Sequence, residues 1–320
     1  MKKANPFPYT HDNKRYHTYT YAMRMKYQSK VYKVGLDAGF SCPNRDGTCA
    51  HGGCIFCSSS GSGDQILNHP DLNLQINAAI EQLSEKWPSA KQIAYFQSYT
   101  NTYASLRDLQ NLYTPFFMDS RFVALDIATR PDCLEPEKLA YFKAMMVHKD
   151  LMLEIGLQSI HSKTALWMNR GHDLEVFDDA VSRCKQAGIP ICIHIINGFP
   201  DETRQEMLET VDYVAALEPD MVKLHMLHIL EESRLGHIYQ NNPFPLLTQK
   251  EYVELIVDQL ELLPPTTIIA RLTGDGPKND TIAPKWTLNK KAVLNEIDQL
   301  MAKRDTFQGR RFIRKQTIIK

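Results

Sequence analysis

Short apolar runs alternate along the chain with stretches in which apolar positions return at helical spacing. "VYKVGLDAGF", "KQIAYFQSY", "RFVALDIATRP", "LMLEIGLQSI", "IPICIHIING" and "DMVKLHMLHIL" read as six strands, rich in β-branched residues and with little polar alternation. Helices are predicted between them. "DLNLQINAAIEQLSEKW" sets Leu72, Ile76, Ala79, Ile80, Leu83 and Trp87 on one face, with Asp71 as N-cap and Pro88 as stop. "ASLRDLQNLYTPFFM" turns around Leu106, Leu109 and Leu112, with Pro115 near its end. "EPEKLAYFKAMMV" carries Pro136 in its first turn, and "DLEVFDDAVSRCKQAG" closes on Gly188. "ETRQEMLETVDYVAALE" follows the fifth strand. Beyond the sixth come a helix, "QKEYVELIVDQLELL", a strand, "TTIIARLTG", and a helix, "LNKKAVLNEIDQLMAKR". The tail "GRRFIRKQTIIK" is expected to be mobile or strand-like.

Near-continuous apolar strands separated by helices mark a parallel sheet covered on both faces. The fold class expected is α/β, a partial or full parallel (β/α) barrel, with a doubly wound sheet as the competitor. The expected division is a basic, aromatic N-terminal segment (1–30), a barrel core (31–230) and a C-terminal α/β extension (231–320). In such barrels the active site lies at the carboxyl ends of the strands. The loop "SCPNRDGTCAHGGCIFCSSSGSGD" falls there after the first strand, "QSYTNT" after the second, "TRPD" after the third, "GLQS" at the end of the fourth and "NGFPDET" after the fifth. Asp64, Tyr99 and Arg130 line these loops. Asp201 is placed to cap the next helix, although a cap alone does not require the Gly-Phe-Pro before it.

Composition narrows the class. The 320 residues are 43% apolar and 23% charged, ordinary for a globular protein with a substantial core. No apolar run is long enough to span a membrane, and the N-terminal stretch lacks the h-region of a signal peptide, so a cytoplasmic protein with no membrane partner is expected. Disulfides are rare there, and clustered cysteines point to metal or catalysis. The net charge is zero but uneven: residues 1–33 carry +7, residues 303–320 carry +6, and the remainder is acidic. The basic N-terminus also holds Phe7, Tyr9, Tyr16, Tyr19, Tyr21, Tyr27 and Tyr32. Basic groups interleaved with aromatics suit a phosphate backbone with exposed bases. The plainer alternative is a pair of solvated tails balancing an acidic body.

Four of the seven cysteines lie at C-x6-C-x4-C-x2-C, at Cys42, Cys49, Cys54 and Cys57. The C-x2-C pair brings two thiolates to one metal, as in both zinc and iron sites. A structural zinc site usually takes two such pairs, and the wider Cys42–Cys49 gap does not supply the second. Three thiolates on a 4Fe-4S cluster would leave one iron open to a ligand. On spacing alone, Cys42 and Cys49 both remain candidates for the third position. Cys133, Cys184 and Cys192 are isolated and read as packed thiols.

The arrangement resembles the radical S-adenosylmethionine (SAM) superfamily, in which three cysteines after the first barrel strand hold a 4Fe-4S cluster and an aromatic residue, here Phe56, precedes the last. The usual C-x3-C-x2-C spacing is absent. A longer first gap occurs in the Elongator catalytic subunit family, and "SCPNRDG", "GGC-x-FC" and "GSGD" are similar to the bacterial group named after YhcC and YtqA. By that likeness the ligands are Cys42, Cys54 and Cys57, with Cys49 outside the cluster. "GLQSIHSKTALWMNRGHD" is similar to the segment whose Gln and Arg contact SAM in Elongator-like and coproporphyrinogen dehydrogenase relatives, which carries over to Gln158 and Arg170. A fifth-strand SAM contact corresponds to His194, where the residue type differs. Gly52 and Gly53 would let the backbone approach the cluster.

The resemblance implies reductive cleavage of SAM to a 5′-deoxyadenosyl radical, with the 4Fe-4S cluster and SAM as cofactors and an electron donor such as flavodoxin or ferredoxin as partner. The substrate it implies is a tRNA nucleoside, at the C5 side chain of the wobble uridine. Alternatives are oxidation of a porphyrin-like small molecule, or a zinc-stabilised nucleic-acid-binding protein using all four thiols. Without the resemblance, Gln158 would serve strand-end backbone groups and Arg170 a surface ion pair. His225 and His228, three apart in one expected strand, should face opposite ways.

Overall fold

The computed structural model describes residues 5–58, 61, 66–274 and 276–314. In chain order the elements are α1 (Tyr19–Tyr27), β1 (Val31–Leu36), α2 (Leu72–Ser84), β2 (Lys91–Phe96), α3 (Leu106–Met118), β3 (Phe122–Thr129), α4 (Pro136–Met145) and β4 (Asp150–Gln158). There follow α5 (Ser162–Trp167), α6 (Leu174–Ala187), β5 (Ile191–Asn197), α7 (Arg204–Ala216), β6 (Met221–Met226), β7 (Ile229–Leu230) and α8 (Arg234–Asn241). The last are α9 (Gln249–Leu262), β8 (Ile268–Arg271), β9 (Thr281–Ala283) and α10 (Lys290–Arg304). Two compact units divide the chain: Met23–Gly156 with Leu166–Ile191, and Met1–Ala22 with Leu157–Ala165 and Cys192–Lys320.

In the first unit β1, β2, β3 and β4 pair in parallel and in chain order. A doubly wound sheet reverses its order partway, and no reversal occurs here. Helix α3 shows why the local sequence folds as it does. The Ser105 side chain accepts from the Asp108 N–H at its start, and Leu109, Tyr113, Phe116 and Phe117 make one buried stripe. Phe96 of β2 meets Tyr113 and Phe116 edge-on, each with ring centres 4.9 Å apart. Such pairs add about 0.5–1.5 kcal/mol beyond their buried area. Helix α2 has the expected Asp71 cap, but it ends at Ser84, and Gln75 and Ile76 are its buried residues. Gly188 closes α6 in a left-handed conformation at φ 67°.

A charged network crosses the four strands. Lys33 of β1 pairs with Asp126 of β3 and, at 2.6 Å, with Glu154 of β4. The Tyr95 hydroxyl of β2 donates to Glu154 at 2.7 Å, and the Lys33 ammonium lies 4.5 Å from the Tyr95 ring centre. Asp126 and Glu154 are buried, and the Lys33 ammonium offsets part of the cost of burying their charge.

In the second unit β5, β6 and β8 are parallel neighbours, and β7 pairs antiparallel with β9. The sixth apolar run, expected as one strand, is therefore two. It breaks between Met226 and Ile229, so His225 lies in β6 and His228 in the break, and alternation along one strand does not relate them. Thr203, not Asp201, caps α7, in a reciprocal box with Glu206. Asp201 has φ 63°, a turn conformation outside the cap.

The N-terminal aromatics are largely structural. Phe7 and Tyr16 are core residues of this unit, Tyr9 stacks on His17 at 4.8 Å, and Arg15 bonds Asp305 and the Thr306 carbonyl. The backbone at His17 and Thr18 pairs alongside Ile269 of β8. Tyr32 is likewise buried, on β1 of the first unit. Arg24 and Lys26 remain exposed. The tail beyond Arg314, and Asp64 of the "GSGD" stretch, lie outside the described residues.

Candidate metal centre

Every group in the centre described next belongs to the first unit. The cysteine loop leaves β1 and folds back through short backbone bonds: Arg45 N–H to the Cys42 carbonyl at 2.8 Å, Gly53 N–H to the Asn44 carbonyl at 2.8 Å, and Cys57 N–H to the Cys54 carbonyl at 3.1 Å. Gly52 and Gly53 take φ 79° and 72°, a region glycine enters without strain. Ile55, buried inside the C-x2-C turn, fixes it by donating its N–H to the Met168 carbonyl at 3.0 Å.

Asn44 is the hinge of the loop and is fully buried. Its Nδ2 donates to the carbonyls of Asn169 at 2.6 Å and Arg170 at 3.2 Å, and to Cys54 Sγ at 3.4 Å. Asn169, at φ 55°, returns its own amide to the carbonyls of His51 and Gly53. Gly171 must be glycine: its φ is 75°, and a Cβ there would lie 2.9 Å from Asn44 Oδ1. Sequence reasoning missed Asn44 and Asn169; the one signal was their place inside "SCPNRDG" and "WMNRGHD".

The thiols are not equivalent. Cys54 and Cys57 share a hydrogen bond that lowers the Cys54 pKa and, together with burial, raises that of Cys57. Cys57 also feels the charge of Cys42. Cys49 is exposed, and its Sγ accepts from Arg130 at 3.6 Å. Burial raises the Cys49 pKa, with Arg130 opposing. Cys133, Cys184 and Cys192 are buried.

Arg130 and Arg170 supply the positive charge. Arg130 bonds Asp132 at 2.9 and 2.8 Å and the Arg170 carbonyl at 2.7 Å. Burial opposes the Arg130 charge, but Asp132 outweighs it and holds the guanidinium pKa above its ordinary value. Arg170 is one of the largest fully buried side chains, and burial lowers its pKa to about 10. The surface ion pair is therefore not its role. Burial, then Arg170, lowers the His172 pKa to about 4.

The "QSYTNT" turn completes the surroundings. Thr100 donates its N–H to the Ser41 carbonyl at 3.2 Å, and Arg45 lies over the Tyr99 ring at 4.7 Å. Among the described residues, Ser98 Oγ and Asn101 Oδ1 are buried without a hydrogen-bond partner, as is Asn44 Oδ1. Buried polar atoms are rarely left so, and atoms of this kind fit a site that takes a polar ligand. Of the residues singled out from sequence, Cys42, Cys54, Cys57, Phe56 and Arg170 thus fall in this unit. Gln158 and His194 belong to the other, Gln158 ending β4 at φ 62° and His194 half-exposed on β5.

A loop of soft thiols with two guanidiniums close by suits an iron–sulfur cluster carrying net negative charge. Known proteins agree. Residues 47–214 match the Radical SAM superfamily pattern and residues 219–303 its C-terminal domain. YtqA of Bacillus subtilis (strain 168) is 43% identical over 98% of each chain. YhcC of Escherichia coli (strain K12) is 31% identical over 86% of this chain and 89% of that one. A tRNA uridine(34) acetyltransferase of Methanocaldococcus jannaschii is 24% identical over 80% of this chain and 54% of its own, so this chain spans about half of it. The solved Elp3 of Methanocaldococcus infernus superposes with TM-score 0.64 at 18% identity, covering 88% of this chain and 64% of that one. That likeness gives the fold, the partial parallel (β/α) barrel of radical SAM enzymes. The family implies SAM and a 4Fe-4S cluster as cofactors. With the family pattern matched over more than half its length and YtqA aligned end to end, this chain is an enzyme of the radical SAM superfamily, in the group of YtqA and YhcC.

Proposed function

We propose that Cys42, Cys54 and Cys57 hold the 4Fe-4S cluster and that the enzyme acts on a tRNA nucleoside, at the C5 side chain of the wobble uridine. What supports the ligand choice is the hydrogen bond that joins Cys54 and Cys57 and the exposure of Cys49, whose sulfur accepts from Arg130; Cys42 acts on both Cys49 and Cys57, and its place as third ligand follows the family likeness. A cluster held there would supply the single electron for reductive cleavage of SAM to methionine and a 5′-deoxyadenosyl radical. This chain supplies the placement. Asn44 orients the Cys54 sulfur, and Ile55 fixes the C-x2-C turn. Arg170, Gln158 and His194 are assigned to SAM, Arg170 by charge, with Phe56 beside the cluster. Ser98 and Asn101 offer buried polar atoms to a ligand's hydroxyl or amino groups.

The tRNA reading rests on likeness to the tRNA uridine(34) acetyltransferase, of which this chain spans about half. Among the described residues of the N-terminal basic stretch, Arg24 and Lys26 are exposed, Lys26 paired with Asp150 at 2.9 Å, and Arg24 is offered to RNA. A low-potential donor such as flavodoxin or ferredoxin is the proposed redox partner. Anaerobic reconstitution tests the centre: brown protein with iron, sulfide and dithionite-dependent 5′-deoxyadenosine supports it, and colourless protein holding one zinc ion per chain refutes it. Gene deletion with mass spectrometry of total tRNA nucleosides tests the substrate; an unchanged wobble-uridine profile overturns it.

A further inference from the structure

Each strand from β1 to β4 has a basic residue at its amino end, and all lie in the first unit. Lys30 precedes β1, Lys91 begins β2, Arg121 precedes β3 and Lys149 precedes β4. Parallel pairing in chain order sets these ends side by side, and the Lys91 N–H donates to the Lys30 carbonyl at 2.8 Å. At β3 and β4 the charges serve the fold. Arg121 pairs with Asp119 at 2.6 Å, and Lys149 donates to the Asp119 and Phe122 carbonyls at 2.8 and 2.6 Å. Asp150, at the start of β4, is taken by Lys26 and by the Tyr27 hydroxyl.

The β1 and β2 end differs. Lys30 Nζ lies 3.8 Å from the Trp87 ring centre, and Lys86 Nζ lies 4.9 Å from the same centre. Two ammoniums thus share one half-buried indole. The exposed Lys91 gives its ammonium only a carbonyl, that of Tyr27 at 3.0 Å. Among the described residues, none of Arg24, Lys30, Lys86 and Lys91 has an ion-pair partner, and the exposed Glu85 beside Lys86 pairs with none of them. Burial, then the charges of Arg24 and Lys86, lower the Lys30 pKa, so the group feels its own crowding. A cation–π contact offsets part of the cost of holding two ammoniums together, but it supplies no counter-charge.

We infer that this rim, at Arg24, Lys30, Lys86 and Lys91, binds the phosphate backbone of the RNA substrate at a distance from the reacting nucleoside. The choice of RNA as occupant rests on the tRNA reading above. Two observations favour it over an acidic protein. The metal loop leaves the carboxyl end of β1, and six residues at about 3.3 Å each set the rim about 20 Å from that end. An electron donor has to approach the cluster, whereas a nucleic acid is long enough to reach both ends of the strand. Arg24, Lys86 and Lys91 are also exposed, and separate cations on an open surface match the spaced charges of a phosphate backbone.

The test measures binding of total tRNA to reconstituted holoenzyme by fluorescence anisotropy over a series of salt concentrations. The parent's affinity should fall steeply with salt, because phosphate contacts release counterions. Lys30→Gln, Lys86→Gln and Lys91→Gln should each weaken binding about fivefold and flatten the slope of log affinity against log salt by about one. Lys250→Gln, at an exposed position on α9 of the second unit, should change neither. Rim variants that match the parent in affinity and slope overturn the rim and leave the wobble-uridine reading standing. Equal weakening in Lys250→Gln also overturns the rim, since overall charge would then explain the effect. A parent that binds no tRNA at low salt overturns the rim's occupant and the tRNA reading together. Rim variants that bind tRNA like the parent but are reduced more slowly by flavodoxin place an acidic protein there and overturn RNA. Should Lys30→Gln fail to fold, Lys86→Gln and Lys91→Gln carry the same comparison, because both side chains are exposed.

Discussion

Replacing Asn44 tests whether one buried amide organises the metal centre. In Asn44→Ala the Asn169 carbonyl loses its 2.6 Å donor, whereas the Arg170 carbonyl keeps Arg130 at 2.7 Å. One buried acceptor left unpaired is worth about 1–3 kcal/mol. Part of that returns, because Asn44 Oδ1 has no partner to lose. The net expectation is a destabilisation of about 1–2 kcal/mol, a melting shift of a few degrees. Asn44→Asp keeps the shape but sets acceptor oxygens against two carbonyls and a sulfur, and it should be worse than alanine although it is nearly isosteric. The sulfur contact predicts a separate effect. Loss of the 3.4 Å N–H···S bond to Cys54 removes a donor that stabilises the more reduced, more negative cluster, so the reduction potential should fall. Thermal melts, iron and sulfide content and an anaerobic redox titration measure the three consequences. An Asn44→Asp protein that melts, loads and titrates like the unaltered enzyme refutes the reasoning.

Cys49→Ala should load iron and sulfide like the parent, while Cys42→Ala should not; metal analysis showing the reverse would make Cys49 the third ligand. Lys33→Met takes the ammonium away from two buried carboxylates, and breaking a buried ion pair in this way is worth about 3–5 kcal/mol, so the variant should melt below the parent and Lys33→Met with Glu154→Gln should recover part of the loss. Gly171→Ala forces a Cβ to 2.9 Å from Asn44 Oδ1 at φ 75°, and its melt should fall with its iron content. Burial, then Arg271, puts the folded-state pKa of His225 well below 6.5, so the unfolded chain takes up its proton first as pH falls below about 6.5 and stability is lost in that direction; denaturant titrations of His225→Gln should show a flatter acid limb, and an identical limb would remove His225 as a contributor.

Much of the fold was legible because its causes are local. Continuous apolar runs, the Asp71 and Ser105 caps and the left-handed Gly188 stop depend on neighbours a few residues away. The metal loop was legible for the same reason, since a C-x2-C turn is a local geometry. The apolar run from Met221 to Leu230 misled because apolar character persists where strand pairing does not, and β7 turns to an antiparallel partner that no local signal announces. The N-terminal tyrosines misled in a similar way. Their spacing with lysine and arginine resembles a nucleic-acid surface, but Tyr16 is buried, and its neighbours Arg15 and His17 are claimed by the C-terminal segment at Thr306 and Gln308, nearly three hundred residues away.

The sequence by itself determined the alternation of strands and helices, the cysteine-bearing loop and the family. The tertiary structure alone decided which groups share a site, because sheet register and loop closure join residues distant in the chain. Asn44 reaches Asn169 across 125 positions, Arg130 claims Cys49 across 81, and pairing of β5, β6 and β8 aligns His194, Lys223 and Arg271. Each of these is a non-local hydrogen bond or register, set by packing the whole chain rather than by any short stretch of it.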